Sequence, residues 1–258
     1  MAIEHLYGDN VHISDSAWLR SLLARIGSPE TPVQEVPDLV RAAYRHMIPE
    51  ILGREFPIVQ GRAVTRMAAT EPKGYYSGPL LGSDTKLVIV AVIRAGILPA
   101  MTCYEEANRV LPITNVRLDF MNMSRTTDEK GRVTGVQFDG SKIGGPVNDT
   151  IVLIADPMGA TGGTIARTIE IYQNLDGGPP PKIIAAHMMV TPEAVQRLTA
   201  SHPDLRIYAG RFDRGMSSDE VLATIPGTHK DRERGLNATH YIVPGAGGIG
   251  ELLTNSWV

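Results

Sequence analysis

The sequence contains a single cysteine, Cys103, in 258 residues. A lone thiol closes no internal disulfide and anchors no structural zinc without other ligands. Charge of one sign is also missing: 25 Lys and Arg against 28 Asp and Glu leave a formal net charge of −3. That excludes the broad basic surface on which sequence-independent nucleic-acid binding depends, while leaving room for a local basic pocket. No apolar run reaches the ~18 residues of a membrane span. The first ten residues are polar and acidic with no apolar core, so they do not read as a secretory signal. Charged residues are 21% of the chain, too few for a disordered charged tail. Aromatic residues are scarce at 5%, whereas Gly (26) and Pro (18) are plentiful, which points to turns and to sites built from backbone. The expectation is a soluble, cytoplasmic α/β protein.

Hydrophobic residues supply 43% of the chain, enough for a sizeable core, and the length fits one domain over 1–258. Residues 32–52 repeat apolar side chains with helical spacing, from Val36 and Leu39 through Ile51 and Leu52. Pro37 suits a first turn, and Pro49 is expected to kink or end the helix. Residues 71–82, rich in Gly, Pro and Tyr, read as a loop or hairpin in which Tyr75 and Tyr76 pack locally. Three continuous apolar runs, 87–93, 150–155 and 182–190, read as buried parallel strands. Helices at 98–110, 163–175 and 192–201 separate them, the last capped by Thr191 with Pro192 at its first position. Short strands are expected at 205–208 and 240–243. Residues 123–145 lack a sustained period and are long for a passive connection, so they read as a functional loop or hairpin.

The most informative stretch is Ile151-Val152-Leu153-Ile154-Ala155-Asp156-Pro157-Met158-Gly159-Ala160-Thr161-Gly162-Gly163-Thr164. A buried strand delivers an acid to the sheet edge, small residues with two hydroxyls follow, and a helix begins. Amides at a helix start, close-approach glycines and the Thr161 and Thr164 hydroxyls suit a phosphate monoester. Asp156 suits ribose hydroxyls, and ligands of open α/β sheets sit at the carboxyl ends of strands. No Lys follows the glycines, so this is not a Walker loop. His187, inside a strand, reads as a satisfied core or pocket-edge residue.

This stretch resembles the ribose-5-phosphate loop of type I phosphoribosyltransferases, and Asp-Pro-Met before Ala-Thr-Gly-Gly resembles the uracil phosphoribosyltransferase family in particular. Ile93-Arg94-Ala95-Gly96-Ile97, Thr191-Pro192-Glu193, His202-Pro203-Asp204 and Tyr241-Ile242-Val243-Pro244-Gly245 follow the same pattern in the same order. The resemblance covers about residue 33 to residue 257 and is strongest in the middle. It implies an open, mainly parallel sheet with helices on both faces, a helical amino-terminal extension over about 1–60, and a small carboxyl-terminal hood. It implies transfer of 5-phosphoribosyl from 5-phosphoribosyl 1-diphosphate (PRPP) to a uracil-like nucleobase. Mg²⁺ would be held mainly by PRPP and water rather than by a protein metal site, and the chain would form a homodimer or higher homo-oligomer. Carried onto this chain, Arg94, Ala95 and Gly96 take the pyrophosphate, with Arg94 and Asp156 as the catalytic pair. Asp156, Pro157, Met158, Gly159, Ala160, Thr161, Gly162, Gly163 and Thr164 take the rest of PRPP. The arginine of the family's closing hairpin is assigned to Arg125, with Lys130 and Arg132 as alternatives. Tyr241, Ile242, Gly247, Gly248 and Ile249 take the base.

The carboxyl-terminal loop departs from the family pattern. Gly245-Ala246-Gly247-Gly248-Ile249-Gly250-Glu251-Leu252 keeps the spacing, but Gly248 stands where the family has Asp and Leu252 where it has Arg or Lys. Glu251 retains the second acid. Replacing Gly248 with Asp is therefore expected to shift activity toward uracil. The altered loop leaves open a different heterocyclic acceptor, or a non-catalytic PRPP-binding regulator. An RNA-binding regulator is disfavoured by the charge. The Gly-x-Gly-x-x-Gly match at 245–250 is not a dinucleotide fingerprint, because too little chain follows for its helix and acid. Residues 216–236 form an insertion whose mixed charges read as a solvated face, or as a lid or subunit contact.

Overall fold

The computed structural model describes residues 2–127 and 133–256, and the side chains of all of these except 124–127 and 133–136. The chain runs β1 (Val11–Ile13), α1 (Ala17–Ile26), α2 (Val36–Glu55), β2 (Ile58–Val64), β3 (Tyr75–Leu81), β4 (Lys86–Ile93) and α3 (Ile97–Ala107). It continues through β5 (Val116–Thr127), β6 (Val133–Lys142), β7 (Thr150–Ala155), β8 (Met158–Gly159), α4 (Gly163–Gln173), β9 (Lys182–Val190) and α5 (Pro192–Ser201). β10 (Arg206–Phe212), α6 (Asp219–Leu222) and α7 (Ile249–Thr254) complete it.

The main sheet has the order β1-β10-β9-β7-β4-β5-β6, with β8 beside β9, and every pair except β5–β6 is parallel. Its central strands are apolar on both faces. Leu87, Ile89, Ala91, Leu153 and Ala155 pack toward α1, α2 and α3, while Val88, Val90, Val92, Val152 and Ile154 pack toward α4 and α5. Burial on both sides explains why these strands are continuous apolar runs rather than alternating ones.

Several expectations need correction. Pro49 does not end its helix, which continues to Glu55. The lost backbone donor is outweighed by the buried stripe Tyr44, Met47, Ile48, Ile51 and Leu52 on the core side. The amino-terminal extension is not purely helical, because β1 adds an edge strand to the main sheet. Residues 71–82 do form half of a hairpin, but its partner is β2, an unexpected strand. Tyr75 and Tyr76 on that hairpin are exposed, with the Arg62 guanidinium 3.8 Å over the Tyr75 ring. The strand expected at 205–208 is longer. The one expected at 240–243 is absent among the described residues, leaving a single bridge between Leu236 and Ile242. The segment at 123–145 falls on the long β5–β6 arm as far as Lys142, apart from 128–132, which lie outside the described residues with Lys130 and Arg132.

The insertion is solvated in part only. Glu220 and Arg232 pair on the surface. Glu233, by contrast, is fully buried, accepting from the Tyr7 hydroxyl at 2.5 Å, the Gly227 amide at 2.7 Å and Arg214 at 3.0 Å. Burial, with this carboxylate alongside, holds the Tyr7 phenol protonated far above its ordinary range. The insertion is thereby tied to the amino-terminal segment by a dry ionic network. Glu233→Ala strands the Arg214 charge and is expected to cost about 3–5 kcal/mol in urea unfolding. Glu220→Ala, at the exposed pair, is expected to leave the midpoint nearly unchanged.

Candidate active site

β4 and β7 are sheet neighbours, with Lys86 opposite Thr150 and Ala91 opposite Ala155. Parallel pairing puts both carboxyl ends on one edge, so Arg94, three residues past Ala91, and Asp156, one past Ala155, emerge side by side. The turn after β4 is held tightly. The Gly96 amide donates to the Val92 carbonyl at 2.8 Å, and a Cβ at Gly96 would lie 2.6 Å from the Ala155 carbonyl oxygen. Glycine is needed there so that the two loops can touch.

The loop after β7 is pinned from below by β9. The Asp156 amide donates to the Ala186 carbonyl, and the Pro157 carbonyl accepts from the Met188 and Met189 amides. Gly159 lies against Val190 and His187, where a Cβ would sit 2.9 Å and 3.1 Å away. Thr191, the cap of α5, also donates its hydroxyl to the Ala160 carbonyl at 2.6 Å. Gly162 has φ +73, the left-handed conformation that turns the chain into α4. The Asp156 carboxylate accepts from the Met158 amide at 3.3 Å.

His187 lies beneath this loop, fully buried. Its Nδ1 lies 2.6 Å from the Asp156 carbonyl oxygen, which can only accept, so Nδ1 carries the proton. Burial lowers its pKa below 6.5, and Nε2 has no hydrogen-bond partner among the described residues. The imidazole is a neutral strut in the core, as the strand position suggested of its burial, but only one of its two ring nitrogens is satisfied among the described residues.

The carboxyl-terminal loop closes over the same edge. Buried Asp213 accepts from the Gly245 amide at 2.9 Å and pairs with Arg211, whose Nη2 donates to the Gly245 carbonyl at 3.1 Å. Gly245 itself has φ +59. Glu193 accepts from the Gly235 and Leu236 amides, fixing the far end of the insertion. Arg94 in turn donates to the Ser256 carbonyl at 2.7 Å, linking the first loop to the chain's carboxyl-terminal residues.

These loops enclose a cavity of about 680 Å³. Arg94, Ala95, Asp156, Met158, Ala160, Thr164, Tyr241, Ile242, Gly247, Gly248 and Ile249 line it, as do Asn122, Met123, His240 and Glu251. Gly96, Pro157, Gly159, Thr161, Gly162 and Gly163 are not among its walls; they shape the loops behind it. Thr161 is turned inward along its own loop, its hydroxyl 3.4 Å from the Gly163 amide. Arg125 is on β5, but its side chain lies outside those described. Sequence reasoning missed Asn122, which reaches the site because it pairs with Ile93 across β4–β5. It also missed His240, at φ +63 in the turn before Tyr241.

A sequence profile described as uracil phosphoribosyltransferase matches residues 13–232. The chain belongs to that family. Its members are glycosyl-transferring enzymes, and the profile match stops before the carboxyl-terminal loop. The chain is 31% identical over 172 residues to a uracil phosphoribosyltransferase of Pyrobaculum islandicum, covering 67% of each chain. To that of Burkholderia thailandensis it is 25% identical, over 95% of this chain and 94% of the other. Among solved structures, a protein of Aquifex aeolicus superposes with a TM-score of 0.72 at 19% identity, over 96% of this chain and 99% of that one. The adenine phosphoribosyltransferase of Trypanosoma brucei, in complex with AMP, pyrophosphate and ribose-5-phosphate, superposes at 0.52 with 13% identity, over 85% and 90%. These likenesses confirm the type I phosphoribosyltransferase fold. No helix among the described residues is long and apolar enough to cross a membrane.

The buried neutral His187 makes the fold acid-sensitive. Its pKa is depressed in the folded state, so below pH 6.5 the unfolded chain takes up the proton first and stability falls. His12 shifts in the same direction, also chiefly through burial. The thermal midpoint is expected to drop between about pH 7.5 and pH 5.5. His187→Asn, which keeps a donor for the Asp156 carbonyl, is expected to remove part of that drop.

Proposed function

We propose that this family member transfers the 5-phosphoribosyl group of PRPP to a ring nitrogen of a uracil-like base. The N–C1′ bond forms, the C1′–oxygen bond to pyrophosphate breaks, and the N–H proton passes to solvent. The observation that carries this reading is a cavity walled jointly by the Arg94 turn, the Asp156–Thr164 loop and the Tyr241–Glu251 segment. A three-part substrate set needs three kinds of wall, and these three segments differ in chemistry in a way that supports the reading.

The 156–164 loop, leading into the amino terminus of α4, takes the 5-phosphate. The Asp156 carboxylate takes the ribose hydroxyls. Arg94 and the Ala95 backbone beside it take the pyrophosphate and stabilise the charge that develops on it as the bond lengthens, while the Gly96 amide holds the turn. Tyr241, Ile242, Gly247, Gly248 and Ile249 take the base, and closure of the site around both substrates excludes water from an oxocarbenium-like centre. Mg²⁺ would be held mainly by PRPP and water and would neutralise the pyrophosphate charge, with Asp156 and Glu251 as carboxylates on the cavity wall. Among the described residues no group of three His, Cys, Asp or Glu is placed to cage a metal. The same reading takes the chain as one domain in the cytoplasm, working as a homodimer or higher homo-oligomer. The exposed apolar side chains Ile58, Val64 and Met67 on and beside the β2–β3 hairpin support the assembly.

Pyrophosphate release from Mg-PRPP, measured with uracil and a panel of other bases, tests the proposal. Release with uracil is the expected result. PRPP binding without release with any base would replace it with the regulator reading. Asp156→Asn is expected to lower kcat/KM for PRPP by about 10- to 100-fold, from the loss of a charged hydrogen-bond acceptor, with the thermal midpoint retained. An unchanged rate would remove Asp156 from the mechanism.

A further inference from the structure

The carboxyl-terminal loop on the base side of the cavity lies beyond the family profile's match, and one contact there is unexplained by the loop's shape. Gly248 has φ −83 and ψ 87, backbone angles open to any residue. Glycine is therefore not required by conformation. A Cβ at 248 would, however, lie 2.2 Å from Oε2 of Glu251 and 2.8 Å from its Cδ, so a side chain there makes the flexible Glu251 carboxylate move. The Glu251 carboxylate occupies the volume that a side chain at 248 would fill, and both residues line the cavity. We infer that Glu251 is the specificity-determining acid of the acceptor pocket, reaching back from the first turn of α7 into the place left by Gly248, where it accepts a ring N–H of the base.

The inference rests on the reading of the cavity as a transferase site. Within that reading the chemistry is constrained. An ionised carboxylate only accepts hydrogen bonds, so it selects a ring edge that presents N–H and disfavours one that presents a carbonyl. Ile242 and Ile249 are buried apolar walls on the same side, suited to the flat faces of a heterocycle. Asp156 lies on a separate element at the sheet edge, so the two carboxylates divide the work, one toward ribose and one toward base. Within this reading an aspartate added at 248 displaces the flexible Glu251 carboxylate and sets a like charge beside it, so G248D alone is expected to disturb the pocket.

A carboxylate at this helical position also reaches back as a cap, and Gln caps as well as Glu. Glu251→Gln therefore keeps a capping role and removes only the charge. The experiment is steady-state pyrophosphate release with uracil for the wild type, E251Q, G248D and the exchange variant G248D/E251G. Expected are a fall in kcat/KM for uracil of about 10- to 100-fold in E251Q, with KM for PRPP within about twofold. G248D falls as well, and the exchange variant recovers most of the loss because the acid has been moved rather than deleted. An active wild type with E251Q unchanged, or an exchange variant no better than G248D, overturns the assignment of Glu251 and leaves the transferase reading standing. A wild type that releases no pyrophosphate with any base overturns the transferase reading, and this inference with it.

Discussion

Pairing of β4 with β7 at the centre of the sheet is the constraint on which the site depends. The strands are parallel and in contact over Lys86–Ala91 and Thr150–Ala155, so whatever follows each of them leaves from the same edge. An arginine and an aspartate separated by 62 positions in sequence thereby share one cavity. The contact continues past the strands, because Gly96 packs directly on the Ala155 carbonyl. Any Cβ at that point pushes the two loops apart.

The strand on the other side of β7 supplies the support. β9 contributes backbone partners for Asp156 and Pro157 and the His187 ring beneath the Asp156 carbonyl. The carboxyl-terminal loop has its own clamp in Arg211 and Asp213, at the end of β10 and just beyond it. The cavity walls are thus set by a ladder of adjacent strands, β4, β7, β9 and β10, each fixing the loop of a neighbour. Side-chain placement within hydrogen-bond distance follows from backbone pairing rather than from loop sequence, which is how loops full of glycine can hold a definite shape.

Some of this was legible in the chain. Continuous β-branched runs at 87–93, 150–155 and 182–190 announce buried strands because both faces of the sheet are covered. The Asp156–Thr164 string carries acid, hydroxyls and glycines in the order a phosphate loop needs. Thr191-Pro192 announces its helix through an N-cap and a first-turn proline, and the Thr191 hydroxyl accepts the Ala194 amide as expected. Other features were illegible for physical reasons. β1 is three residues long, and its pairing with β10 closes across almost the whole chain. Residues 240–243 look like a strand by composition, yet the Asn237 side chain accepts from the Thr239 and Tyr241 amides and folds them into a turn. Glu233 looks like its neighbours in a charge run, but the fold surrounds it with Tyr7 and Arg214.

Local pattern, then, is enough for the strands, the capped helices and the strand–loop–helix unit around Asp156–Thr164, since each depends on residues a few positions apart. Sheet order, the cavity and the relation of Glu251 to Gly248 depend on contacts that no local period encodes. Asn122 becomes a wall residue through its register opposite Ile93. Gly248 reads in the sequence as a lost acid, whereas in the fold it is the space into which another acid reaches. The difference arises because a side chain's chemistry travels with its residue type, while its neighbours are chosen by the packing of the whole sheet.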